Sequence, residues 1–336
     1  MSKIICSFLA VAIGVTAPSF IAQAAESGAN SSARALSLRL NWKMKGEFAP
    51  FIVADKKGFF KKEGLNVKVN EGTSATQALQ TVASGQDDIA YVPSVQLIKA
   101  IGEGLPVKAI ATVVKVDSMG MVASSKFKLS SPRDLEGRVV EISPDSTFNQ
   151  IWEAFARKNN IDVSKVNVVR AAPSARFGLL LSGKVDILAD IFMTTEYPVL
   201  QLKSKEKLNT LSVADWGFPL LGYTLVASTK LQGSSADMLK RFNKAAMEGF
   251  KYTMEHPDEA AAIAAAAYPE ALPLDTTKGQ VAQLVSFLKR GEPKQMFAGN
   301  DESWNRTVDI LKTTGVISEK KPVATYYTNA FLPGGS

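Results

Sequence analysis

Phe51-Ile52-Val53-Ala54-Asp55-Lys56-Lys57-Gly58-Phe59-Phe60-Lys61-Lys62-Glu63-Gly64-Leu65-Asn66-Val67 is the stretch whose reading decides the fold. With Pro50 near its first turn, it starts as a helix running to Phe60, and Phe51, Ala54 and Phe59 mark an apolar face. Val67 to Val69 then reads as a short strand. Upstream, Leu36-Ser37-Leu38-Arg39-Leu40 alternates apolar and polar residues, the period of a half-buried strand. Strand, helix and strand in this order make one β-α-β unit.

The same grammar continues outward. Thr73-Ser74 caps a helix that runs to Ser84 and is stopped by Gly85. Ile89 to Val92 is a strand, Pro93 breaks it, and Ser94 caps the helix before Gly102-Glu103-Gly104. Val107 to Val114 is a further β-branched run. A second series opens at Met119, with strands at 120–123, 138–142, 166–169 and 185–188 and helices at about 147–159 and 174–181. Tyr223 to Ala227 is one more strand, followed by long helices from Met238 and Pro257. The alternation predicts an α/β fold with parallel sheets, either as two α/β units or as one large doubly wound domain, between which length alone does not decide. The expected division is residues 36–118 with 222–336 as lobe 1 and 119–221 as lobe 2.

Before Leu36 the chain reads differently. Lys3, an apolar run from Ile4 to Ile21 and the small-x-small Ala22-Gln23-Ala24 make residues 1–24 a secretory signal cleaved before Ala25. Residues 25–35 are small and polar and are expected to be a disordered lead-in. The chain of 336 residues has one Cys and one His. Cys6 leaves with the signal, which suits a protein exported to an oxidising periplasm. A single His and a single Cys exclude a zinc centre or disulfide framework, and no cofactor is expected. The formal charge of +7 falls to about +6 when Lys3 departs and points toward an anionic ligand. Lys56-Lys57 and Lys61-Lys62 lack interleaved aromatics, so nucleic acid is not the expected partner.

Leu40-Asn41-Trp42 with the stretch quoted first resembles the opening of the NMT1/THI5-like periplasmic substrate-binding proteins, relatives of the sulfonate, taurine and nitrate receptors of ABC importers. Ala83-Ser84-Gly85-Gln86-Asp87-Asp88-Ile89-Ala90, Gly104-Leu105-Pro106-Val107, Pro132-Arg133-Asp134-Leu135-Glu136-Gly137 and Leu181-Ser182-Gly183-Lys184-Val185-Asp186 follow in the order the family shows. The resemblance covers essentially the whole chain after residue 24. It implies a two-lobed periplasmic binding protein of type II, each lobe a sheet flanked by helices, with ligand trapped at the hinge. It also implies an ABC permease as partner, a monomer and a periplasmic location.

Ligands of open α/β sheets lie beyond the carboxyl ends of strands, where helix N-termini offer free N–H groups. Thr73 and Ser74, Pro93 and Ser94, and Ser143, Ser146 and Thr147 stand at such turns. Plain capping is the other reading of each. Trp42 sits just past the first strand, where family members place an aromatic against the ligand. Pyrimidine-precursor binders carry Asn-His between this tryptophan and the helix. Here Glu47-Phe48 replaces it, and Glu47-Phe48-Ala49 resembles heterocycle and flavin receptors. Asp190 and Glu196 follow a strand, and Glu196 resembles the cleft glutamate of pyrimidine-binding relatives. Trp216 and Tyr223 lie at the return crossing between lobes, and Arg176 near a helix start is a candidate for an anion.

The leading function is a solute receptor for a small flat heterocyclic or aromatic compound, pyrimidine- or flavin-like. The alternative is a small organic anion: an alkyl sulfonate, taurine, nitrate or an aromatic carboxylate. An enzyme like the fungal pyrimidine synthase of this family uses a histidine and a cysteine-rich motif. This chain has no cysteine after residue 6, and its lone histidine, His256, lies at a helix junction.

Overall fold

The computed structural model describes residues 34–144, 146–291 and 295–334. The expected signal and most of the lead-in lie outside the described residues.

In chain order the segment that builds the first sheet contains β1 (Arg34–Leu40), α1 (Ala49–Lys56), α2 (Phe59–Lys62), β2 (Leu65–Asn70), α3 (Ala75–Ser84), β3 (Ile89–Pro93), α4 (Ser94–Gly102) and β4 (Val107–Thr112). The segment that builds the second contains β5 (Met119–Ala123), β6 (Val139–Glu141), α5 (Thr147–Lys158), β7 (Asn167–Val169), α6 (Arg176–Leu181), β8 (Ile187–Phe192), α7 (Glu196–Lys203) and β9 (Asn209–Ser212). The chain then returns through β10 (Tyr223–Ser228) and the helices α8 (Thr229–Ser234), α9 (Ala236–Glu255), α10 (Pro257–Ala267), α11 (Leu274–Lys289) and α12 (Asp301–Thr313).

Two five-stranded sheets result, in the orders β2-β1-β3-β10-β4 and β7-β6-β8-β5-β9. They are not all parallel, as the alternation suggested. β10 runs antiparallel to β3 and β4, and β5 runs antiparallel to β8 and β9. The reason lies in the crossings. β4 ends at the carboxyl edge of its sheet, and the chain enters the facing sheet at that sheet's own carboxyl edge, where Met119 pairs with Phe192 at the end of β8. A strand entered from that edge must run backwards. β10 repeats this on the return, its Tyr223 paired with Pro93 at the end of β3.

Local sequence explains the element ends. Ser74 accepts a hydrogen bond from the Gln77 N–H to cap α3, and Gly85, at φ +81°, ends it. Gly58, at φ +74°, splits the expected Pro50–Phe60 helix into α1 and α2. The first strand starts at Arg34 rather than Leu36, because Arg34 and Ala35 pair with Leu65 and Asn66. Leu36, Leu38 and Leu40 point into a core shared with α1 and α9. There α1 approaches α9 so closely that a Cβ on Gly249 would collide with the Pro50 carbonyl. Among the described residues no helix is long and apolar enough to cross a membrane.

Candidate functional site

Both crossings and both carboxyl edges meet at one place, and the polar residues buried there define the site. The crossings run side by side: the Gly222 N–H donates to the Val114 carbonyl at 2.9 Å, and the Asp117 N–H to the Leu220 carbonyl at 2.8 Å. Past the end of β1, residues 46–48 make a short 3₁₀ turn. The Gly46 N–H donates to Gln280 Oε1 at 2.7 Å, and Gln280 Nε2 donates to the Thr195 carbonyl at 2.9 Å. One α11 side chain thus clips the first lobe's turn to the second lobe. A Cβ on Gly46 would lie 2.8 Å from Gln280 Cβ, so only glycine lets this clip form.

The turn delivers Glu47 into the interior, where it is 3% exposed. Its Oε2 accepts from Thr194 Oγ1 of the second lobe at 3.2 Å, and Thr194 is itself 3.2 Å from Ser118 Oγ. Oε1 has no partner of good geometry among the described residues. Burial pushes the Glu47 pKa up, opposed by the Lys45 charge and by the Thr194 and Tyr223 hydroxyls. Asp117, in the first crossing, accepts the Met119 N–H at 2.8 Å. Burial raises its pKa to about 6, against that hydrogen bond and with help from the Glu47 charge.

Aromatics close the other side. Tyr223 stacks on Tyr91 at 4.9 Å between ring centroids, and Phe48 and Phe51 meet Tyr91 edge-on. Trp42 stands apart, its ring 46% exposed and the Lys45 ammonium 5.9 Å from its centroid. Phe192, at the end of β8, is the exposed aromatic of the opposite lobe. Between the lobes Lys45 and Gln280 from one side, with Ser174, Phe177, Thr195 and Glu196 from the other, line a hollow of about 580 Å³.

A second polar cluster lies at the carboxyl edge of the second sheet. Arg176 is buried and ion-paired with Asp190, with Glu141 at 3.1 Å and with Glu196 at 3.7 Å. Ser143 donates through its hydroxyl to Glu141 and through its N–H to Asp190. Glu196 also accepts the Phe192 N–H at 2.9 Å. Arg176 is therefore neither a surface arginine nor free for an anion. Three carboxylates already surround it.

The residues singled out by sequence divide in two. Glu47, Tyr223, Asp190, Glu196 and Ser143 gather at the junction of the lobes, with Trp42 at its rim. Ser74 and Ser146 cap α3 and α5. Ser94 donates to the Gly222 carbonyl at 2.5 Å, tying the end of β3 to the return crossing beside Pro93. Phe48 is buried in the first lobe's core, and Trp216 packs on the second lobe's core. Thr73 is exposed beside Ser74, and Thr147 is half-buried in the first turn of α5. Sequence reasoning missed Tyr91, Asp117, Ser118, Thr194 and Gln280. Gln280 lies 234 residues from Gly46, so no local pattern announces it. A polar Asp117-Ser118 between apolar strands was the one available signal.

Electrostatically the junction is acidic. Glu141, Asp190 and Glu196 share a single buried arginine, while Glu47 and Asp117 have none, with Lys45 acting on Glu47 from the margin. Such a site accepts hydrogen bonds and repels anions.

Comparison with known proteins bears on the family and the fold. The chain is 25% identical over 279 residues to the formylaminopyrimidine-binding protein of Halalkalibacterium halodurans, covering 82% of this chain and 84% of that one. It is 25% identical over 297 residues to the riboflavin-binding protein RibY of Chloroflexus aurantiacus, covering 86% and 84%. It is 22% identical over 309 residues, 89% and 92% of the two chains, to the 4-amino-5-hydroxymethyl-2-methylpyrimidine phosphate synthase of Legionella pneumophila. In fold it matches the periplasmic aliphatic sulphonate binding protein SsuA of Escherichia coli, with a TM-score of 0.68 at 14% identity over 88% of this chain and 92% of that one. The family model described as NMT1/THI5 like matches residues 45–260. By that match, over most of its length, the chain belongs to the NMT1/THI5-like family.

Proposed function

We propose that this protein is the solute-binding receptor of an ABC importer, acting in the periplasm and delivering a flat nitrogen heterocycle to an inner-membrane permease. Residues 36–118 with 222–336 form one lobe and 119–221 the other, hinged at the paired crossings. The observation that carries the ligand class is Glu47: a buried carboxylate at the lobe junction, facing the Thr194 and Tyr223 hydroxyls, beside the stacked Tyr91–Tyr223 rings. Its oxygens keep lone pairs for a ring N–H or amino group, and the exposed Trp42 and Phe192 offer faces to a flat body. The relatives named for a formylaminopyrimidine and for riboflavin support the same class.

Binding rather than catalysis fits the residues. His256 stacks on Tyr252 at 4.6 Å where α9 meets α10, and takes no part in the junction. A ligand that touches both lobes favours closure, and Glu47, 3.2 Å from Thr194 Oγ1, stands where such a ligand reaches both. The anion reading loses support because Arg176 is already held by three carboxylates.

A thermal-shift screen of the purified protein tests the assignment. Aminopyrimidines or flavins should raise the melting temperature, and Glu47→Gln should weaken the best of them at least tenfold. Stabilisation by taurine, alkyl sulfonates or nitrate alone would overturn the heterocycle assignment.

A further inference from the structure

Beside the hinge lies a second concavity that the cleft does not use. Its walls are α5 of the second lobe, α12, which packs on α4 of the first, and residues 217–219 of the return crossing, and it forms an open groove of about 910 Å³. That is the size of a pocket for a small organic ligand. Its floor is apolar, made by Ala154, Phe218, Pro219 and Ile310. Ile310 packs against the cores of both lobes, which puts α12 on the seam between them.

The charges at its rim are unequal. Glu302 holds Arg306 at 3.2 Å, Asp309 holds Lys320 at 2.6 Å, and Arg157 is 3.6 Å from Glu153. Lys158 makes no ion pair among the described residues. Its stem lies across Gly217 so closely that a Cβ there would collide with the lysine methylenes. The packing directs an uncompensated ammonium to the edge of an apolar hollow.

We propose that this concavity is a second ligand site, for a small amphipathic organic anion whose apolar body rests on Phe218 and Ile310 and whose carboxylate or sulfonate meets Lys158. Its place gives it a further property. Hinge bending moves α5 relative to α12, so an occupant touching both has different contacts in the open and closed states. By linkage it changes the affinity of the cleft for its ligand, and the cleft ligand changes its affinity by the same factor. This coupling rests on the receptor reading above; binding at the second site does not.

The probe is 8-anilinonaphthalene-1-sulfonate, an aromatic body with one sulfonate, whose fluorescence rises on burial. We expect saturable binding to the purified protein, weakened at least tenfold by Lys158→Glu, abolished by Ala154→Trp, which puts an indole on the apolar floor where the probe would rest, and unchanged in Glu47→Gln. Thr313→Trp replaces Ala154→Trp if that variant does not fold, as judged by circular dichroism and melting. Absence of binding, binding indifferent to both groove changes, or binding lost in Glu47→Gln overturns the site. With the site established, a heterocycle found in the thermal-shift screen should bind with at least a threefold different Kd when the probe is saturating. An equal Kd overturns the coupling and leaves both binding readings standing.

Discussion

Replacing Asp117 with asparagine should stabilise the protein at neutral pH and leave it unchanged in acid. The carboxyl is buried in the first crossing, and its pKa is raised from 3.8 to about 6, chiefly by burial. Each pKa unit corresponds to about 1.36 kcal/mol, so holding this group ionised at pH 7.5 costs the folded state roughly 3 kcal/mol. The sign follows from proton binding. Between pH 3.8 and about 6 the folded state holds a proton that the unfolded chain has released, so stability falls as pH rises through that window and levels off above it. Asparagine has the same shape, keeps an oxygen for the Met119 N–H and does not titrate. Urea unfolding at pH 3.8, 5.5 and 7.5 should therefore give a difference between variant and parent that grows from near zero to roughly 3 kcal/mol. Equal differences at all three pH values, or a destabilised variant at pH 7.5, would refute burial as the cause. The like charge of Glu47 contributes to the Asp117 shift, so Glu47→Gln should move the Asp117 transition toward lower pH.

Arg176→Met should destabilise by about 3–5 kcal/mol in urea, because it strands Glu141 and Asp190 as buried charges without their counterion. A loss under 1 kcal/mol would show that these carboxylates are solvated, contrary to their burial. Gly249→Ala, elsewhere a helix-favouring change, should instead lower stability by about 1–3 kcal/mol, since the added methyl meets the Pro50 carbonyl where α1 crosses α9. Melting that matches or exceeds the parent's would mean the two helices are free to separate.

Most of the fold was legible because it is written locally. Ser74 and Gly85 bracket α3 by capping chemistry, and the Leu36-Leu38-Leu40 alternation shows its buried face directly. Strand direction was not legible. Nothing in Tyr223 to Ala227 distinguishes an antiparallel strand from a parallel one; its direction is set by the edge at which the crossing delivers it. The site was half legible for the same reason. Trp42, Glu47 and Glu196 sit at strand ends or helix starts, where position along the chain predicts position in space. The partners that give them meaning come from distant elements: Thr194 for Glu47, three carboxylates for Arg176, Gln280 for Gly46.

Arg176 also shows why net charge misleads about ligands. The chain carries a formal +7, and a basic balance favours anions at long range. Specific recognition happens within a few ångströms, where the field belongs to the nearest groups and is strengthened by low dielectric. There the sign reverses. The lysines lie on exposed faces such as Lys56, Lys61 and Lys62, while Glu47, Asp117, Glu141 and Asp190 are buried at the carboxyl edges. An anion drawn in by the outer field would reach a junction already rich in acceptors, with its one arginine engaged. A neutral ring bearing N–H donors loses nothing to that outer field, and at the junction it meets a buried carboxylate able to accept from it.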